Sequence, residues 1–215
     1  MFKKTTDASR IAHEGYPFIG ISFLLVVIGG FIHPLLFVLF FVLLVFVVSF
    51  FRNPRRLAPI GDNLVVSPAD GKIIFVGEVD EGRILKRRLK KVSVFMSPLN
   101  VHVNRAPVTG VIKKVEYTKG KFFGAFSDKA SLDNEQNALV IESSIGDEIL
   151  FIQIAGFLAR RIVNYVRPND RLNVGEIFGL IRFGSRMDIY FPTNYQLRVK
   201  IGDRAKAGET ILSEV

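Results

Sequence analysis

The chain has 215 residues, room for one modest domain with an appendage, and 29 Lys and Arg against 20 Asp and Glu give it a net charge of +9. It has no Cys, which excludes disulfides, thiolate metal sites and thiol nucleophiles. A basic balance suits nucleic acid or an anionic lipid surface, and the first long segment decides between them.

Residues 17–51 contain no Asp, Glu, Lys or Arg and are dominated by Phe, Leu, Val and Ile. That is more than the ~20 residues a helix needs to cross a bilayer. Gly29-Gly30 and His33-Pro34 divide the run into halves of 16 or 17 residues. Each half would be roughly 25 Å long as helix. Lys3, Lys4 and Arg10 precede the run, and Arg52, Arg55 and Arg56 follow it. The positive-inside rule puts both flanks in the cytoplasm. The expectation is a polar tail over 1–16, a membrane helical hairpin over 17–51 turning at 29–34, and a basic linker over 52–59. A single long tilted helix is the rival. The apolar run is too long for a cleaved signal peptide and lacks a small-residue cleavage site.

From residue 60 the pattern changes to short runs rich in Val, Ile and Phe, cut by Gly, Pro, Asn and Asp. Runs at 72–76, 91–96, 110–117, 138–143, 148–155, 177–183, 187–191 and 196–201 predict a compact, mainly β domain over 60–215. A short helical turn is expected near 157–163. The segment 167–176 resembles 201–209: each reads as a turn, an Asp, a polar run and then Gly-Glu opening an apolar strand. Such turns recur in lipoyl- and biotinyl-type β-sandwiches, so a sandwich-like α+β domain with hairpins of that kind is expected. Two ordinary hairpin turns would read the same way.

The candidates for chemistry are few. Of three histidines, His13 lies in the polar tail, His33 at the apolar turn, and His102 in a Pro-bounded loop after a strand. Asp70 sits in the Asp-Gly turn of Ser67-Pro68-Ala69-Asp70-Gly71. Gly184-Ser185 lies between two strand-like runs, where a Ser hydroxyl can attack the preceding carbonyl. A free hydroxyl is a poor nucleophile and needs a base; an imidazole titrates near neutrality, and a carboxylate on its far nitrogen fixes the tautomer. Asp70, His102 and Ser185 thus supply acid, base and nucleophile from separate segments, as folded triads do.

Five segments occur here in the order seen in phosphatidylserine decarboxylases. They are Ser67-Pro68-Ala69-Asp70-Gly71, Met96-Ser97-Pro98-Leu99-Asn100-Val101-His102, Asp128-Lys129-Ala130-Ser131 with Asn134-Glu135, Gly156-Phe157-Leu158-Ala159-Arg160-Arg161-Ile162-Val163, and Phe183-Gly184-Ser185-Arg186. Nearly the whole chain resembles that family, in its short bacterial branch with an N-terminal membrane segment. The longer branch has Leu-Gly-Ser-Thr at the cleavage motif and a second His where this chain has Arg105. One imidazole, His102, is therefore left for self-cleavage and turnover.

The resemblance implies a proenzyme that cuts itself between Gly184 and Ser185. The long β fragment would be 1–184 and the short α fragment 185–215, the latter capped by a pyruvoyl group made from Ser185. Asp70 and His102 would activate Ser185. The pyruvoyl cofactor, with no metal, would form a Schiff base with the amine of phosphatidylserine and release CO₂ and phosphatidylethanolamine. Substrate carboxylate and phosphodiester call for nearby cations, for which Arg186, Lys121 and Lys129 are the candidates. Phe122, Phe123 and Phe126 would either pack inside or form an apolar lip on the bilayer. The implied partners are membrane phosphatidylserine and the chain's own two fragments, on the cytoplasmic face of a bacterial membrane. No nucleic acid is expected, because the basic residues are spread out and not clustered with stacking aromatics. Homo-oligomerisation is left open. The alternative is a non-enzymatic, membrane-tethered lipoyl- or adaptor-like β domain in which Gly184-Ser185 is only a turn.

Overall fold

The computed structural model describes residues 8–120, 134–156, 161–182 and 185–215, in two compact units, Met1–Arg55 and Arg56–Val215.

In the first unit a 3-10 turn, His13–Gly15, leads into α1 (Tyr16–Ile32), and α2 (Pro34–Phe50) follows after one residue. Extended backbone at His33 (φ −163°, ψ 139°) breaks the helix, and its Nδ1 accepts the Leu35 N–H at 3.1 Å to cap α2. Pro34 opens α2, where a missing N–H leaves nothing unsatisfied. Gly29 and Gly30 lie inside α1, so the reversal is tighter than expected. A Cβ on Gly29 would stand 2.7 Å from the Phe40 ring; the bare backbone is what lets α1 and α2 approach. At the other end the Ala12 N–H donates to Phe51 O at 2.8 Å, and the Asn53 N–H to Arg10 O at 2.7 Å. Phe18 stacks on Phe51 with centroids 5.4 Å apart. The ends meet, so this is a hairpin and not one long helix. Its outward apolar side chains are bare, Phe31 at 89% and Leu35 at 69% exposure, a surface suited to hydrocarbon. His13–Ile32 is long and apolar enough to cross a bilayer, while Pro34–Phe50 is shorter.

The second unit is mainly β. Its strands are β1 (Leu64–Val66), β2 (Gly71–Glu81), β3 (Arg87–Met96), β4 (Val103–Arg105), β5 (Gly110–Thr118), β6 (Gln136–Ser143) and β7 (Glu148–Ala155). They continue with β8 (Ile162–Asn164), β9 (Arg171–Leu172), β10 (Ile177–Ile181), β11 (Ser185–Phe191), β12 (Gln196–Leu197), β13 (Arg204–Ala205) and β14 (Ile211–Glu214). One sheet has the order β13-β2-β3-β11-β7-β6-β5-β9, and two smaller ones are β1-β14-β12 and β4-β10-β8. The helical turn expected at 157–163 is not formed at its C-terminal end. The β-branched pair Ile162-Val163 lies in β8, laddered to Leu180 and Ile181, and residues 157–160 fall outside the described residues.

Both faces of the large sheet are covered. Met187, Ile189 and Phe191 point into the main core with Val94, Leu139 and Phe151, while Tyr190, Leu150, Ile152 and Ile154 form a smaller cluster on the opposite face. The large sheet reads the same from either end, because the domain is built twice. Gly71 and Gly110 open β2 and β5, and an added Cβ on either would stand 2.1 Å from a carbonyl oxygen, of Phe95 and Glu142 respectively. Each strand then bulges, at Ile73/Phe75 and Ile112/Lys114. The Ile73 N–H donates to Asp203 O and the Ile112 N–H to Asp170 O, both at 2.9 Å. Gly208 and Gly175 share a positive φ (+75° and +77°) that favours glycine, and a Cβ on Gly208 would lie 3.3 Å from Gly175 Cα. The sequence similarity between 167–176 and 201–209 is therefore a structural pseudo-two-fold.

Candidate active site

Ser185 opens β11, paired with Met96 of β3 on one side and Ala155 of β7 on the other. It is fully buried, and its hydroxyl donates to the Met96 thioether, Oγ to Sδ 3.3 Å. A thioether is a weak acceptor, so the hydroxyl is dry and loosely held. Behind it runs a line of buried amides. Asn137 Nδ2 donates to Gln153 Oε1 at 2.8 Å, Gln153 Nε2 to Asn104 Oδ1 at 2.9 Å, and Asn104 Nδ2 reaches Met96 Sδ at 3.8 Å. Asn134 Nδ2 ties to Ala155 O at 2.7 Å, while Glu135 accepts the Ile162 N–H at 3.2 Å. Glu135 also bears on Tyr117, whose phenol is pushed up to about 12, first by partial burial and then by its hydrogen bond to that carboxylate.

His102 sits in the loop that enters β4. Asn100 closes this loop by accepting the Ser97 N–H at 2.9 Å and the Ser97 hydroxyl at 2.8 Å. The Asn100 carbonyl lies 2.9 Å from His102 Nδ1. A carbonyl can only accept, so Nδ1 carries the proton in the neutral ring and Nε2 is the acceptor. The ring is buried at 2% exposure, and His102 O takes the Ile181 N–H at 3.3 Å, four positions before Ser185.

Asp70 stands where the chain turns into β2. Its Oδ2 accepts from Arg56 at 2.7 Å and its Oδ1 from the Ala207 N–H at 2.8 Å. Arg56 also reaches Glu209 at 3.4 Å, so this arginine of the basic linker is built into the domain and not left solvated. Gly71 admits no side chain, which lets β2 close on Phe95 and sets Asp70 at the strand end. Extending the β2–β3 register puts Gly71 beside Met96, itself paired with Ser185. Two strand spacings make roughly 10 Å between those backbones. While His102 precedes β4 of the neighbouring small sheet, Asp70 and Ser185 thus stand at the same end of the large sheet, two strands apart. A cleft of about 580 Å³ opens there, lined by Asp70, Lys72, Phe95, Asn100, Arg204 and Lys206 among others.

Arg186 points to the opposite face from Ser185, by strand alternation. Its Nε lies 2.9 Å from Asp188 Oδ1, and Lys91 meets the same carboxylate at 2.9 Å. Burial pushes the neighbouring Tyr190 phenol up, with Asp188 adding to it. Lys121, Lys129, Gly184 and the phenylalanines at 122, 123 and 126 lie outside the described residues. Reading the sequence alone missed Arg56, Asn104, Asn137 and Gln153. Of the three amides only Gln153 had a visible signal, a polar residue in the apolar run of β7. No cluster of metal-ligating side chains occurs among the described residues.

The family model for phosphatidylserine decarboxylase matches residues 43–213. A phosphatidylserine decarboxylase proenzyme of Citrifermentans bemidjiense is 49% identical over 216 residues, covering 97% of this chain and 98% of the relative. Proenzymes of the same name from Geotalea uraniireducens and Desulfotalea psychrophila are 48% and 43% identical, covering 94% and 95% of this chain and 95% and 96% of their own lengths. Similarity over nearly the whole chain sets aside the non-enzymatic alternative, and the chain belongs to the phosphatidylserine decarboxylase family.

Proposed function

We propose that the chain is a proenzyme that cuts itself between Gly184 and Ser185. It then converts phosphatidylserine to phosphatidylethanolamine and CO₂ on the cytoplasmic face of a bacterial membrane. The observation that carries this reading is Ser185, a fully buried hydroxyl at the head of a central strand with a thioether for its acceptor. Ser185 Oγ gives its proton to His102 Nε2 and attacks the Gly184 carbonyl carbon. The Ser185 nitrogen is protonated as the C–N bond breaks, and the peptide becomes an ester. Loss of the Ser185 α-proton expels the Gly184 carboxylate. The dehydroalanine left at 185 takes up one water and releases ammonia, ending as a pyruvoyl terminus. Asp70, held by Arg56 and the Ala207 N–H, is the acid of the proposed triad.

The residues present fit that group. A pyruvoyl keeps Cα and Cβ of the serine and loses its nitrogen, so it needs no more room than the side chain already packed between Met96 and Ala155. Its ketone supplies the electron sink for decarboxylation. The chain's own residues bind the headgroup, exclude water, and through His102 deliver the proton that replaces CO₂ on the substrate's α-carbon. The helical hairpin confines the enzyme to the surface that holds an insoluble substrate.

The test is intact-mass analysis of the full chain beside Ser185→Ala. Two fragments in the wild type, the smaller lighter than its encoded mass as a pyruvoyl end requires, and an uncut variant are expected. An uncut wild type after prolonged incubation with membranes would overturn the reading.

A further inference from the structure

The cleft beside Asp70 carries three exposed cations on one side, and their placement is costly to the sheet. Arg204 of β13 lies directly opposite Lys72 of β2 in the ladder, and Lys206, two residues on from Arg204, lines the same cleft. Like charges directly opposed across strands repel. Elsewhere in the sheet Arg87, Arg88, Lys91, Lys113 and Lys114 each meet a carboxylate at 2.7–3.3 Å. None of Lys72, Arg204 or Lys206 has such a partner among the described residues, and the cleft's one acid, Asp70, is held by Arg56.

The pseudo-two-fold supplies an internal control. Its other half repeats the fold, including the turn that Asp70 holds: Thr109 Oγ1 accepts the Val174 N–H at 3.0 Å, as Asp70 accepts that of Ala207. The positions matching Lys72, Arg204 and Lys206 there are Val111, Arg171 and Asn173, a single cation. The scaffold therefore does not require the cluster, which occurs only in the half with Asp70. Leu99, 72% exposed, adds an apolar lip to the cleft; Phe95 in its wall is paired with both Lys72 and Arg186, on the face opposite the Ser185 side chain, and leads directly into Met96 at the sheet end.

Resting on the decarboxylase reading, we infer that Lys72, Arg204 and Lys206 bind the phosphodiester of the lipid headgroup, with Leu99 against the start of its apolar tails, and so set the enzyme's preference for a phospholipid. The volume of about 580 Å³ is that of a small-molecule pocket. Arg offers a paired-donor fork to phosphate, and the two Lys add point charge.

The experiment uses full-length Lys72→Gln/Arg204→Gln, with Arg171→Gln as the control, in neutral-detergent micelles containing phosphatidylserine. About a tenfold rise in KM with kcat within about threefold is expected for the double variant, and no change for the control. In the wild type, phosphatidylglycerol should compete and inorganic phosphate should not. Lys72→Arg/Arg204→Lys should restore KM, and Lys206→Gln alone, in an exposed turn, should raise it about threefold should the double variant not fold. An unchanged KM, or inorganic phosphate competing as well as the lipid, would overturn the assignment. Self-cleavage, which involves no lipid, is read by intact mass in the same samples. A wild type that is cut but releases no CO₂ from phosphatidylserine would instead sink the parent reading.

Discussion

Arg56 and Asp70 form a nearly dry ion pair at 2.7 Å, with side chains 10% and 13% exposed. The pair joins the segment that follows the helical hairpin to the acid of the proposed site. Removing one partner of a buried pair costs about 3–5 kcal/mol because the other charge is left stranded. Arg56→Ala is expected to slow self-cleavage by roughly ten- to a hundredfold, with Arg56→Lys and added guanidinium each recovering part of the rate. A time course of fragment masses checks this, and cleavage of Arg56→Ala at the wild-type rate would make the pair structural only.

The β2–β3 turn predicts a pH effect. Glu81 accepts the N–H groups of Arg83, Ile84, Leu85 and Lys86 at 2.6–3.2 Å. Burial works to raise its carboxyl pKa, and the four donors together outweigh it, so the net shift is downward. A depressed value stabilises the fold in full above the unfolded pKa, near ~4.3, and that stability is lost as pH falls through the folded value. Glu81→Gln should melt roughly 2–6 °C lower near neutral pH, with the gap closing below about pH 4. Thermal melts of both proteins across that range decide it.

Gln153 bridges two buried amides. Gln153→Leu strands Asn137 Nδ2 and Asn104 Oδ1, each worth about 1–3 kcal/mol when left unpaired. A fall in Tm of roughly 4–12 °C is expected, against less than about 4 °C for the nearly volume-conserving Met96→Leu. Equal falls in calorimetry would refute the ranking.

The hairpin can be tested by cross-linking, because the chain has no native Cys. Ile11 and Arg52 are bridged antiparallel although 41 positions apart. Ile11→Cys/Arg52→Cys should oxidise to an intramolecular disulfide in membranes. A continuous helix would hold the two about 60 Å apart, so failure to cross-link would contradict the hairpin.

Most of the β architecture was legible, since short Val- and Ile-rich runs between turn residues have few other uses. The pair Gly29-Gly30 misled, because in a helix glycine serves close packing as readily as a turn, and Phe40 lies across the interface. Alternation could not single out Gln153: both faces of its strand are covered, so Phe151 and Ile152 are both buried. Arg56 carries no sign in the sequence beyond its place in the basic linker, because its partners, Asp70 and Glu209, meet it only on folding. Ser185, His102 and Asp70 stand out in the sequence only through the motifs around them, whereas the opposition of Lys72 and Arg204 depends on a pairing across 132 positions.

β11 is the middle of the large sheet, laddered to β3 along one edge and to β7 along the other. Residues 185–215 also supply β12, β13 and β14 to the structure. A break before Ser185 therefore leaves the short fragment interwoven with the long one, held by every ladder it had before. Until that break, β11 reaches its place as part of one chain; afterwards the same assembly, once unfolded, depends on two molecules finding each other. Maturation would make folding a single-use event, so that denatured mature enzyme should regain its structure far less readily than denatured Ser185→Ala proenzyme.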